Sequence, residues 1–336
     1  MIKRSYLFVI SLLSLAIFLS SCSINQEYEP VPTLKITGAY SGCGIGAFLH
    51  DGLPSAESIT SYENLISRNV ASVMWFLDFV QPFPTSACDA VHDHNSIPMI
   101  TWEPWRWGFP ADTSYSLDHI ISGDCDSYIT TFANAAKSWG KPLFLRFAHE
   151  MNGNWYPWTG YSNGSNEAAA EKYKTAWKRI YSTFESVGAN NVTWVWCPMN
   201  YGYTTEAWNN HEKYYPGDNY VDWVAFDGYA NSDKASETAT SDAVYIGIYA
   251  TLISTIFSNK PIMIGETARG TVDATNKPLW ITDAFYKIKN NYPKIKLYVW
   301  FNMNKESGWR VDTSPDSLNA FKAAMTDEAY YLSKIH

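Results

Sequence analysis

Short apolar runs rich in β-branched and aromatic residues alternate along this chain with longer stretches of helical character. The runs cover residues 44–49, 71–76, 97–102, 143–148, 192–197, 223–227, 261–266 and 297–301. They are continuously apolar and do not alternate between apolar and polar, which marks strands buried on both faces, as in a parallel sheet. Between them, residues 58–68, 127–139, 166–187, 242–257, 277–290 and 317–325 carry apolar positions at helical spacing. Eight strands with helices between them predict an α/β fold, a single-domain (β/α)8 TIM barrel. A doubly wound sheet is the alternative. No internal repeat, low-complexity tract or second domain interrupts the pattern.

The first residues set a compartment. Lys3 and Arg4 precede an apolar stretch, residues 6–19, too short to span a membrane. It ends in Leu19-Ser20-Ser21-Cys22, which resembles a bacterial lipobox. Residues 1–21 are therefore expected to be a signal peptide. Cys22 becomes the lipid-bearing mature N-terminus, and 22–33, with Pro30 and Pro32, a tether. The catalytic domain then occupies 34–336. The expected location is exported and lipid-anchored to a bacterial membrane, on the outer membrane, its periplasmic side or the cell surface. Export permits disulfides. Cys43, Cys88 and Cys125 lie in polar, loop-like sequence and are open to pairing. Cys197 ends an apolar run and is expected buried and reduced.

In a barrel the strand interiors are packed, and the C-terminal strand ends form the mouth where chemistry occurs. Here those ends carry Glu103, Glu150, Asp227 and Glu266. The net charge of −8, without a basic stripe, argues against nucleic acid and anionic polysaccharides as partners. Aromatic residues reach 16% of the chain, with 15 Trp and 23 Tyr. Aromatic faces stack on the apolar faces of sugar rings, so the excess favours a neutral carbohydrate even after the core takes its share. Cutting a glycosidic bond needs two carboxyl groups, one protonated and one ionised; the residues alone do not choose the pair. Other signals are weaker. His149-Glu150 is followed by Gly153 where a zinc motif needs His, His92-Asp93-His94 reads as a solvated helix end, and the glycines at 42, 44 and 46 precede no helix. No metal or cofactor is expected.

Three motifs then choose. Phe144-Leu-Arg-Phe-Ala-His149-Glu150-Met-Asn-Gly153-Asn-Trp-Tyr-Pro-Trp158, Asp227-Gly228-Tyr229 and Ile262-Met-Ile-Gly265-Glu266-Thr267 together resemble glycoside hydrolase family 26. The similarity runs from about Gly44 to Phe321. It implies a retaining mechanism, with Glu150 as acid/base and Glu266 as nucleophile, about 5–5.5 Å apart. His149 would hydrogen-bond substrate or nucleophile, Asp227 would support the site, and Tyr229 would hold Glu266. Arg146, expected on the same side as His149, would orient or neutralise a carboxylate. Trp300 would be the floor under the cleaved sugar, and Trp102, Trp105, Trp155 and Trp158 candidate stacking platforms. Within the family, endo-β-1,4-mannan cleavage comes first. Mixed-linkage β-1,3-1,4-glucan and β-1,3-xylan are the alternatives. A non-enzymatic glycan-binding lipoprotein on an inactive barrel is the rival class, opposed by the presence of both glutamates.

The lipobox reading makes a direct prediction. Cys22→Ser should abolish lipid attachment and move the protein out of the membrane fraction. Undiminished partitioning of the variant into membranes would show that Cys22 is not the anchor.

Overall fold

The structure is a computed structural model that describes residues 34–230, 241–253, 259–270 and 276–336. The expected signal peptide, Cys22 and the tether lie outside the described residues, as does the end of the helix expected over 242–257. Each apolar run forms a parallel strand: β1 (Cys43–Phe48), β2 (Ser72–Asp78), β3 (Ile97–Glu103), β4 (Leu143–Phe147), β5 (Val192–Trp196), β6 (Trp223–Ala230), β7 (Ile262–Arg269) and β8 (Ile295–Phe301). Neighbours in sequence are neighbours in the sheet. β1 pairs with both β2 and β8, which closes the barrel. A two-residue strand, β9 (Tyr331–Leu332), pairs with the start of β1.

The helices are α1 (Ala56–Ile66), α2 (Thr85–Asp93), α3 (Leu117–Ser122), α4 (Asp126–Trp139), α5 (Glu167–Val187), α6 (Asp242–Leu252), α7 (Asn276–Asn290) and α8 (Pro315–Ala324). The helical stretches read from the sequence left out α2 and α3, whose nine and six residues are too few to display a clear helical period. α5 shows how sequence makes such an element. Asn166 caps its first turn by accepting from the Ala169 amide, and Gly188 ends it in the left-handed conformation. Ala169, Ala170, Tyr173, Ala176, Trp177, Ile180 and Phe184 form its buried stripe. From that stripe the Tyr173 hydroxyl donates to the Ala148 carbonyl at 3.2 Å, tying the helix to the functional end of β4. Among the described residues no helix is long and apolar enough to cross a membrane.

β6 and β7 continue past the expected ends, by three residues each. A register shift between Phe226 and Asp227 sets Asp227 beside Glu266. The bulge thus brings two acidic strand ends together at the mouth.

Two expectations need correcting. Cys43, Cys88 and Cys125 are not loop thiols open to pairing: they sit in β1, in α2 and at the start of α4, buried and unbridged, as is Cys197. Burial pushes the Cys43 and Cys88 thiols up, as suits a small apolar residue and not a reactive one. Trp102 and Trp300 are not sugar platforms. Both are fully buried on the outer face of the barrel wall. Trp102 stacks on Phe132 of α4 at 4.4 Å, and Trp300 packs against Phe321 of α8 at 5.1 Å and Trp280 of α7 at 6.3 Å. Strand residues alternate between the barrel interior and the helix layer, and these two fall on the helix side.

Trp102→Ala should therefore destabilise the domain by about 3–5 kcal/mol, the range for emptying a buried tryptophan site, with the folded fraction retaining its activity. Denaturant unfolding and activity measured on one preparation decide this. A lost activity with unchanged stability would restore the platform role.

Candidate active site

The strand-four sequence turns sharply as it leaves the barrel. Ala148 and Glu150 both adopt left-handed backbone angles, φ 45° and 54°, which cost a side-chain-bearing residue about 1–3 kcal/mol each. The turn is held from several directions. The Ala148 amide donates to Trp102 O at 3.0 Å and the Glu150 amide to Cys197 O at 2.8 Å. Trp158 Nε1 donates to His149 O at 2.7 Å. Trp158 is thus a buried brace and not the stacking platform expected of it. Gly153, which follows, is confined by the Trp155 indole, 2.6 Å from where a Cβ would stand.

Arg146 lies at the bottom of the mouth with no exposure. Its Nη1 donates to both Asp227 oxygens at 2.7 Å, its Nε to Thr101 Oγ1 at 2.9 Å, and its Nη2 to Glu266 Oε1. Burial works against the guanidinium's charge, but Asp227 and then Glu266 outweigh it, and the net shift is upward. Gly265 makes this possible: a Cβ there would stand 2.6 Å from Asp227 Oδ1 and 2.9 Å from Arg146 Nη1. Glu266 Oε2 accepts from the Tyr229 hydroxyl at 2.5 Å. Two donors on one carboxylate is the pattern of an anion held in place.

Glu150 is treated oppositely. Trp155 Nε1 donates to its Oε2 at 2.7 Å, but burial, then the charges of Asp227 and Glu266, raise its pKa well above the ordinary carboxylate range. His149 Nε2 lies 3.9 Å from Glu266 Oε1, too far for a hydrogen bond, and 3.3 Å from the Tyr156 hydroxyl. Burial and then Arg146 depress its pKa, so the imidazole is neutral. Arg146 and His149 are three residues apart, which strict alternation would place on opposite faces; the left-handed Ala148 returns both to Glu266. His149, Asp227 and Glu266 offer donor atoms within 4.8 Å of one another. Arg146 already supplies the cation to both carboxylates, so this set does not suit a metal.

Glu150 and Glu266 face one cleft of about 550 Å³, which Trp155, Tyr156, Tyr229, Phe301 and Trp309 also line. A second cavity of about 380 Å³ adjoins it, sharing Phe76, Tyr156 and Lys305. In that cavity Glu103 accepts from the indoles of Trp105 and Trp107 at 3.0 and 2.6 Å. Burial nevertheless pushes its pKa up to about 7. Where Trp300 is expected as the floor, Trp309 and Phe301 line the cleft instead. Trp309 packs on Tyr229 at 5.1 Å, and its loop is clamped by buried Lys277, whose Nζ donates to Gly308 O and Arg310 O at 2.7 and 2.6 Å. Tyr156, Lys305, Trp309 and Lys277 escaped the sequence reading because three lie in aperiodic loops and the fourth opens a helix.

A family model described as glycosyl hydrolase family 26 matches residues 90–330. The chain belongs to this family. Endoglucanase H of Acetivibrio thermocellus is 39% identical over 298 residues, 85% of this chain and 30% of that protein. A mannan endo-1,4-beta-mannosidase (A and B) of Caldalkalibacillus mannanilyticus is 38% identical over 51% of this chain and 31% of its own length. The family 26 chain thus spans under a third of either relative. In fold it matches the Bacillus subtilis mannanase man26, with TM-score 0.63 and 20% identity over 90% of both chains.

The raised pKa of Glu150 carries a stability consequence. Below about pH 4, near the unfolded value, both states hold the proton and nothing is lost. As pH rises, the unfolded chain ionises first, the native state binds the extra proton, and stability falls. Glu150→Gln removes this slope. The variant should be more stable than the parent at neutral pH, with the difference closing in acid. Urea midpoints of both proteins across the pH range measure it, and parallel curves would show that Glu150 is not held protonated.

Proposed function

We propose that this chain is a retaining glycoside hydrolase that cleaves internal β-1,4 bonds of a neutral hexose polysaccharide. Glu266 is the nucleophile and Glu150 the acid/base. The observation that carries this reading is the opposite treatment of two glutamates facing one cleft. One accepts from Arg146 and Tyr229; the other is pushed toward its protonated form.

In the first step Glu266 attacks the anomeric carbon as Glu150 gives its proton to the departing oxygen, leaving a glycosyl ester on Glu266. Esterification removes the Glu266 charge, one of the causes that raise the Glu150 pKa. Glu150, its proton gone and its anion now less opposed, accepts a proton from water as the water oxygen bonds to the anomeric carbon and the bond to Glu266 breaks, giving retained configuration. Arg146 and Tyr229 keep the Glu266 oxygens aimed throughout.

The relative named an endoglucanase matches 85% of the chain, whereas the mannosidase match covers 51%. That breadth recommends a β-glucan, including the mixed-linkage form, beside mannan as the first polymers to assay. The lipobox at Cys22 supports an enzyme displayed on a bacterial membrane.

Assayed on mannan, mixed-linkage glucan and β-1,3-xylan, the protein should release reducing ends from at least one of the first two, with the β-anomer formed first by NMR. Glu266→Ala and Glu150→Ala should each lower kcat on that polymer by at least about 10²–10⁴-fold. The Glu150 variant should recover on a substrate whose leaving group needs no proton. Initial release of the α-anomer, or near-normal turnover by either variant, would refute the assignment.

A further inference from the structure

Two exposed tyrosines beyond the cleft have no part in the chemistry above. Tyr161 and Tyr203 are 48% and 49% exposed, and their rings meet edge to face at 5.0 Å. Single exposed rings are ordinary, but rings gathered together on a surface mark a contact site. They come from distant parts of the chain, the turn before α5 and the loop after β5, yet both are anchored to the same short segment. Gly160, which precedes Tyr161, donates its amide to Met151 O at 3.0 Å, and the Tyr203 amide donates to Asn152 O at 2.9 Å. Met151 and Asn152 directly follow Glu150.

Asn152 makes the coupling firm. Its buried side chain donates to Met199 O and Tyr201 O at 3.0 and 3.1 Å and accepts from the Met199 amide at 2.8 Å. Met199 and Tyr201 line the catalytic cleft with Glu150 and Trp155, and Tyr201 is itself 58% exposed. Aromatic residues thus continue outward from Glu150 along these tied segments: Trp155 and Tyr201 in the cleft, then Tyr203 and Tyr161. The cleft also adjoins the Glu103 cavity, with Trp105 and Trp107, through Phe76, Tyr156 and Lys305.

The geometry points to the Tyr161–Tyr203 pair as a distal platform for the departing portion of a long β-linked glycan. The inference rests on the hydrolase reading above, because the side is assigned by Glu150 donating its proton to the leaving oxygen. Sugars beyond that oxygen lie on the Glu150 wall, where these aromatic residues begin. Each tyrosine offers an aromatic face for the apolar side of a pyranose and a hydroxyl for its rim. The edge-to-face contact presets the two rings, so little freedom is lost when the polymer settles.

The test is the double variant Tyr161→Ala/Tyr203→Ala, beside Tyr161→Phe/Tyr203→Phe, on the full chain. Substrates are the preferred polymer, oligosaccharides of increasing length, and an aryl glycoside whose leaving group is a single ring. The platform predicts that kcat/KM on the polymer falls about tenfold, through KM, the effect of losing an aromatic contact or two. It also predicts that kcat and the aryl glycoside are unaffected, that the deficit appears only above a threshold chain length, and that the phenylalanine pair keeps most of the affinity. An unchanged polymer kcat/KM overturns the platform and leaves the hydrolase reading standing. An equal loss on the aryl glycoside also overturns it, by showing that the rings act through the Asn152 anchor on Glu150. Failure of the parent protein to cleave any β-glycan would remove the hydrolase reading and the platform with it.

Discussion

The buried guanidinium of Arg146 joins four strands at the mouth of the barrel: Thr101 on β3, its own β4, Asp227 on β6 and Glu266 on β7. Desolvating a full charge is expensive, and only closely placed opposite charges and complete hydrogen bonding offset it. Two carboxylates and a hydroxyl meet that demand. Their arrangement also leaves a surplus, since one cation faces two carboxyl groups, and burial leaves the Asp227 pKa raised despite Arg146. The surplus acts on the next ionisable groups. Glu150 is discouraged from ionising by burial and by both anions, while His149, buried beside the cation, stays neutral. The two chemically identical side chains are thus set apart by burial around Glu150 and by the arginine and tyrosine donors on Glu266.

This arrangement consumes stability. Two non-glycine residues at the end of β4 hold left-handed angles, a β-bulge interrupts the β6–β7 pairing, and a carboxylic acid is kept where its anion is disfavoured. Surrounding structure compensates. Trp158, Tyr173 and Cys197 each bond the strained turn, and the outer layer of large aromatics, Trp102, Trp177, Trp194, Trp280 and Trp300, is wholly buried. Much of the chain's tryptophan serves to hold the wall rigid behind the site.

That allocation explains what the sequence made legible. The barrel was readable because strands covered on both faces are continuously apolar, and its acidic strand ends stood out against that background. The same continuity hid which way each tryptophan points, since an inward and an outward Trp300 produce the same pattern of letters. Arg146 and His149 could be assigned to one side only by ignoring their spacing of three, which the left-handed Ala148 makes harmless. Tyr156, Trp309 and Lys305 line the cleft from loops, where no period constrains a side chain. Glu103 was legible as a strand-end acid, but its two indole donors from the following turn were not.

The electrostatics of the cleft also bear on what can enter it. The chain is acidic overall, and the carboxylates at the mouth outnumber the buried arginine that serves them. An anionic polymer would meet repulsion before reaching Glu266, whereas a neutral one meets mostly aromatic surface. Trp105, Trp107 and Tyr156 stand on one side, and Trp155, Tyr201 and Trp309 on the other or across it. Stacking on such faces is tolerant of which neutral hexose is bound, because every pyranose offers an apolar face. Discrimination between glucose and mannose must come from directional polar groups close to the reacting ring. Among the described residues such groups include the Tyr156 and Tyr229 hydroxyls, Glu306, and Lys305 at the junction of the two cavities. On the proposed hydrolase reading, sugar choice would rest on such groups above the Arg146 network, and it could change without disturbing that network.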